Sequence, residues 1–434
     1  MRNSTDSREG RKRIMRLLKN PWIQSIILIF LSTFVLLPSF HTGIIHAQED
    51  EEEKIEIGVV LPLSGSNSVF GRIQKNSMVM AVEKINSGGG IDGTPLFLDI
   101  RNSGGRIRTA RAIVKNFIEK RGYPLVMGGF SSSITGAIAA YSERMGVPYL
   151  AITGSADAIT QRGYSYVFRM NPSLSMYNSG MEDFLGNVVK LEKIAIVYEE
   201  NTFGRGNSRA IARAAETFGW SVPIDYGYEG GKLKLEELIG KLDEARPDVL
   251  YLACYIGDAV RILKGLDDRG LAIGVVAGSA ELARSNFLSD SGAEGENAVA
   301  SVIWAPGLDY PGTAAYVQEY REKFGSEPDY HGAEAYAAVQ VVADVLNRAA
   351  LPEPQSITKA LISTDILTVF GPVSFPSTGK FTNQNEPPTY VIQWQNEKPV
   401  IVWPGKFAET EYILPVVSPE PEEQPSSSPL VGED

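Results

Sequence analysis

From Lys54 onward, apolar residues recur at two alternating spacings, one of period two or continuous and one of period near 3.6. "KIEIGVVLPLSG" (54–65) reads as a strand running into a loop, and "GRIQKNSMVMAVEKIN" (71–86) as a helix with Met78, Ala81, Val82 and Ile85 on one face. "PLFLDIRNS" is the next strand, "RTARAIVKNFIEKRG" a helix and "YPLVMGGF" a strand. "SSSITGAIAAYSERMG" (131–146) then opens a helix directly, before the strand "VPYLAITGS". Such βαβ alternation predicts a parallel sheet covered by helices on both faces.

The pattern then restarts. "KIAIVYEENTFG", "NSRAIARAAETFGW", "KLEELIGKLDEA", "PDVLYLACYIG", "DAVRILKGLDDRG" and "IGVVAGS" form a second α/β unit of strand, two helices, strand, helix and strand. Two tandem units predict two lobes with a cleft between them. "TAAYVQEYREKFG" and "HGAEAYAAVQVVADVLNRAA" are further helices, and "PPTYVIQWQNEKPVIVW" a terminal hairpin. Residues 410–434 turn to Pro, Ser and Glu, too poor in apolar side chains to fold alone, and are expected to be a disordered acidic tail.

The N-terminus adds a compartment. Seven Lys and Arg in the first twenty residues precede an uncharged stretch whose apolar centre spans 22–37 and ends at Pro38, with small Ala47 before Glu49 and Asp50. This is the layout of a secretory signal over residues 1–47, with an uncleaved anchor as the alternative, because the apolar centre falls between a signal core and a full span. Without those residues the formal net charge of −11 becomes −16, since seven positive and two negative charges leave. So acidic a body disfavours nucleic acid as a partner. Cys254 is the only cysteine, which excludes an internal disulfide, and its place in an apolar strand predicts a buried structural thiol.

Little in the sequence supports catalysis. "GGGIDG" (88–93) fits the letters of a dinucleotide fingerprint, yet it closes a helix and precedes a strand, the reverse of the required context. Beyond residue 47 His331 is the only histidine, no phosphate loop or nucleophile elbow is present, and neither a metal site nor a cofactor is expected. A hydrolase using Ser131 or Ser155 with His331 is the remaining catalytic alternative.

Ser131, Ser132 and Ser133 follow two glycines at a strand end and open a helix. Simple helix capping is one reading, since serine is a favoured N-cap. The other is an anion seat: hydroxyls and free amides at the positive end of a helix, on the edge of a parallel sheet where ligands settle. "TGS", Thr153, Gly154 and Ser155, holds the same relation to the next strand, so two loops could grip one carboxylate.

Several stretches together resemble the type I periplasmic solute-binding proteins that serve branched-chain amino acid ABC transporters. They are "IGVVLPLSG…FG", "AVEKINSGGGIDG", "GGFSSS", "GVPYLAITGSADAITQRGYSYVFRMNPS", "NTFGRG" and "HGAEAYAAVQ". The resemblance implies two Rossmann-like lobes joined by three crossing segments, lobe 1 from 54–172 plus 305–382 and lobe 2 from 173–304 plus 383–405. It implies capture of a small solute without chemistry, as a monomer partnered by an inner-membrane ABC permease. Ser131, the amide of Ser132, the backbone at Thr153 and Gly154, and Ser155 would bind the ligand carboxylate and, through the Thr153 carbonyl, an ammonium. Phe70, Phe203, Tyr255 and His331 would line the pocket, Phe70 and Phe203 from loops after strands. Amino-acid binders of this family place an acidic residue just after the strand "IGVVAG"; here Ser279 and Ala280 stand nearest and Glu281 comes one later. Glu281 is either the ammonium partner or a solvated carboxylate, and a neutral amide or an aromatic or aliphatic carboxylate stays open as the ligand. An anchored sensory domain is the alternative to a free carrier.

Overall fold

A computed structural model describes residues 54–284 and 286–414. The signal segment of 1–47 and the greater part of the acidic tail therefore lie outside the described residues.

The first lobe is built on a wholly parallel sheet in the order β2-β1-β3-β4-β5, from β1 (Ile55–Leu61), β2 (Leu96–Asn102), β3 (Val126–Gly128), β4 (Tyr149–Ala151) and β5 (Val167–Arg169). Its helices are α1 (Ser68–Ser87), α2 (Ile107–Asn116) and α3 (Ser132–Met145). The period of two along β1 explains the layering. Ile57, Val59 and Leu61 join the core that holds Met78 and Ala81 of α1, while Val60 joins the core that holds Ala110 and Val114 of α2 and Ile134 and Ile138 of α3. "GGGIDG" ends α1 as the sequence predicts: Gly90 has φ +74° and donates back to the Ile85 carbonyl.

The second lobe has the order β14-β13-β10-β9-β8-β6-β7. Strands β6 (Lys193–Glu199), β7 (Ser221–Tyr228), β8 (Val249–Ala253), β9 (Val275–Gly278) and β10 (Val299–Val302) run parallel. The hairpin β13 (Tyr390–Gln395) and β14 (Lys398–Trp403) adds antiparallel, turning on Asn396 and Glu397, both at positive φ. Helices α4 (Thr202–Phe218), α5 (Leu235–Ala245) and α6 (Ile256–Asp268) cover the sheet. Ile194 and Ile196 pack with α4, and Ala195 and Val197 with α5 and α6.

The chain crosses between lobes three times: after β5, after β10 and before β13. Between the second and third crossings α7 (Thr313–Phe324), α8 (Tyr330–Arg348) and α9 (Pro354–Ile362) lead to a separate hairpin of β11 (Asp365–Thr368) and β12 (Gly371–Ser374). Helix α8 lies along α1, and the Tyr316 hydroxyl of α7 is 2.8 Å from Ser77 Oγ of α1. The crossings lie side by side. Arg169 and Gln384 form a bridge between the first and third, and Ser301 Oγ donates to the Tyr177 carbonyl to join the second to the first.

The expected tail starts later than 410. Gln393 exchanges two hydrogen bonds with the Ile413 backbone, and the Tyr412 ring meets Phe184 edge-on, so these residues continue lobe 2. Among the described residues no helix is long and apolar enough to cross a membrane.

Candidate ligand-binding cleft

The C-terminal ends of β3 and β4 supply two adjacent loops. Gly128 and Gly129 carry φ of +112° and +79°, and a methyl on Gly128 would collide with the Val60 carbonyl. The chain must be glycine there to turn tightly into α3. Ser131 then takes the N-cap position in extended backbone, yet its side chain makes no cap hydrogen bond; its hydroxyl lies 3.3 Å from that of Ser133. Capping is therefore not what the Ser131 hydroxyl does, and the first N–H groups of α3 keep no side-chain partner from it. Ser132 plays a different part: its Oγ accepts from the Ala156 N–H at 3.0 Å and so ties the two loops together.

The second loop is fixed from below. Thr153 Oγ1 donates to the Gly129 carbonyl and accepts from Gln74 Nε2, each at 3.0 Å. The Thr153 carbonyl already receives Asn171 Nδ2 at 3.4 Å, so it is partly occupied as an acceptor for an ammonium. Arg169, fully buried, donates to the carbonyls of Gly154 and Ala156, to Thr160 and to Gln384. Burial draws its pKa down to about 10, and the carbonyls it serves hold the loop in register with the crossings. Among the described residues the Ser155 hydroxyl, half-buried, has no hydrogen-bond partner. Gln74 Oε1 is buried and unpartnered as well.

Beside these loops lies an aromatic stack. Phe70 packs on Phe130 and on His331, with ring centres 5.0 and 4.6 Å apart, and His331 packs on Tyr330 at 3.9 Å. His331 Nδ1 lies 3.1 Å from Asp329 Oδ2, and neither Ser131 nor Ser155 hydrogen-bonds the imidazole among the described residues. The hydrolase alternative lacks its nucleophile–base contact. Across in the second lobe Phe203 and Tyr255 stack 5.8 Å apart and 11° from parallel, and Tyr255 is 50% exposed. Phe70 and Phe203 do not come from loops: each stands in the first turn of its helix, α1 and α4, because those helices start earlier than their apolar stripes suggest.

Glu281 follows β9 in a short helical turn. It is not a solvated carboxylate. Burial raises its pKa, opposed by Arg284, by the Ile256 N–H at the start of α6 and by His331 of the other lobe. Its Oε2 is buried, accepts no hydrogen bond and lies 3.5 Å from Arg284 Nη1. The Arg284 guanidinium in turn sits 5.2 Å from the centre of the Phe70 ring, a contact between lobes. The structure thus gathers Phe70, Ser131, Ser132, Thr153, Gly154, Ser155 and His331 on one side and Phe203, Tyr255 and Glu281 on the other. Phe130, Gln74, Arg169 and Arg284 belong to the same surroundings and were not among the residues the sequence picked out. Only the Gly-Gly-aromatic order before the serines marks any of them in advance. Among the described residues no group of three or more His, Cys, Asp or Glu is placed to hold a metal ion.

Residues 54–399 match the family described as periplasmic binding protein. The Leu/Ile/Val-binding protein homolog 8 of Brucella melitensis is 27% identical over 372 residues, covering 82% of this chain and 91% of the relative. Among solved structures, a putative branched-chain amino acid ABC transporter protein of Silicibacter pomeroyi superposes with TM-score 0.75 at 18% identity, over 84% of this chain and 99% of that one. A solute-binding protein from R. palustris in complex with benzoate gives 0.68 at 16% identity, over 80% and 95%. The structures share the fold of this chain.

Proposed function

We propose that this chain, which belongs to the periplasmic binding protein family, is exported, captures one small amphipathic carboxylate between its lobes and delivers it to an inner-membrane ABC permease. It works as a monomer and performs no chemistry on the solute. One observation carries the reading: Ser131 holds an N-cap position with its hydroxyl not engaged in capping, beside a second strand-end loop whose Ser155 hydroxyl is also unengaged. Hydroxyls and N–H groups at the positive end of a helix suit a carboxylate and leave nothing for group transfer.

That the relatives are named as Leu/Ile/Val-binding protein homologues favours a branched-chain or other hydrophobic amino acid. A second reading, a simple aromatic or aliphatic carboxylate in the same place, is favoured by Arg284 standing beside Glu281 and by the aromatic stacks on either side. A melting-temperature screen against amino acids, amides and aromatic and aliphatic acids tests the proposal. A ligand at about a hundred times its Kd stabilises the native state by about 2.7 kcal/mol. A rise with one compound class supports the proposal, and no rise with any carboxylate contradicts it.

A further inference from the structure

Arg284 stands where the two lobes meet and has a contact on each. Glu281 Oε2 is 3.5 Å away on its own lobe, and the face of Phe70 is 5.2 Å away on the other. Phe70 is not free to retreat, because Phe130 and His331 pack against it. The other carboxylates nearby have their own neighbours. Asp329 meets His331 and the Gly332 N–H, Asp258 meets Arg261 and the Tyr228 hydroxyl, and the Glu199 carboxylate lies against Gly230. Glu281 differs in having a buried Oε2 that accepts no hydrogen bond, and it already faces a cation.

We propose that Arg284 sets the charge of the ligand: it gives Glu281 its counter-charge from within the protein, so that the cleft prefers small carboxylates without a free ammonium over the corresponding α-amino acids. This rests on the cleft reading above. An ammonium entering beside Glu281 would place two cations on one carboxylate whose Oε2 is buried, or force the guanidinium off the Phe70 ring. Either loss falls on the amino acid alone. A carboxylate with an uncharged apolar or aromatic body meets the same stack without that conflict.

The test is a set of calorimetric titrations with two matched pairs, leucine with 4-methylpentanoate and phenylalanine with 3-phenylpropanoate. Wild type should bind the des-amino member of a pair more tightly. Arg284→Met should move the preference toward the amino acid by roughly tenfold or more, the scale of one charge-assisted contact. Arg284→Lys, which keeps the charge, should retain the wild-type order, and adding Glu281→Gln to Arg284→Met should abolish the shift. Melting curves establish that each variant is folded. If Arg284→Met weakens both members equally, or if wild type prefers the amino acids, the inference is overturned while the cleft reading stands. If wild type binds neither member of either pair, the cleft reading fails, and this inference with it.

Discussion

Ser131 and Ser132 are neighbours in sequence with separate tasks, and the difference is measurable. The Ser132 hydroxyl accepts the Ala156 N–H, so Ser132→Ala leaves that donor without its partner and should lower stability by about 1–2 kcal/mol in a chemical-denaturation curve. Its effect on binding follows from a loosened second loop. Ser131→Ala removes a hydroxyl that caps nothing and should leave the denaturation midpoint almost unmoved. At this scale the sequence marked the serines, Thr153 and Ser155 as candidates because they are small polar residues directly after strands at a sheet edge. It also announced Cys254, which is buried with its pKa pushed up to about 12 by that burial. Arg284 and Arg169 were not legible. An arginine three residues after Glu281, or one at the end of a short strand, reads as surface until the tertiary fold brings Phe70 or Gln384 to it.

At the scale of elements, α8 carries a cost that its apolar pattern conceals. Glu334 lies among alanines and valines, fully buried, with both carboxylate oxygens unpartnered. Burial raises its pKa well above the usual carboxylate value, and the charge of Arg169 only partly opposes this. The sign follows directly. Below pH of about 4.3 folded and unfolded chains both hold the proton. Above it the unfolded chain releases the proton and the native chain keeps it, so stability falls by up to about 1.4 kcal/mol per pH unit until the native group titrates. Glu334→Gln should remove this slope. Denaturation midpoints of wild type and variant should diverge from pH 5 to 8, the variant being the more stable at the upper end; parallel curves would contradict the assignment. Most helices and central strands were legible from periodicity. Strand β7 was not, since Pro223 interrupts its pattern, and an edge position is where a sheet tolerates proline. Strand β10 was not legible either.

For the whole molecule, two α/β units and a cleft could be read from the restart of the strand–helix pattern. The way the three crossings are tied together could not, because Arg169, Gln384, Ser301 and Tyr177 are distant in sequence and joined only by the fold. Those ties hold the crossings together next to the 153–156 loop, through Arg169 and the Gly154 and Ala156 carbonyls. In the proposed capture reading the carboxylate is held at the start of α3, beside that loop. The most direct test of that account is a calorimetric titration of wild type and Ser131→Ala with the carboxylate that gives the largest rise in melting temperature. The account predicts one site per chain in wild type and a tenfold to hundredfold weaker Kd in Ser131→Ala, the loss of about 1.5–3 kcal/mol for one charge-assisted hydrogen bond. Equal affinity in the two proteins would contradict it and place the ligand elsewhere than at the start of α3.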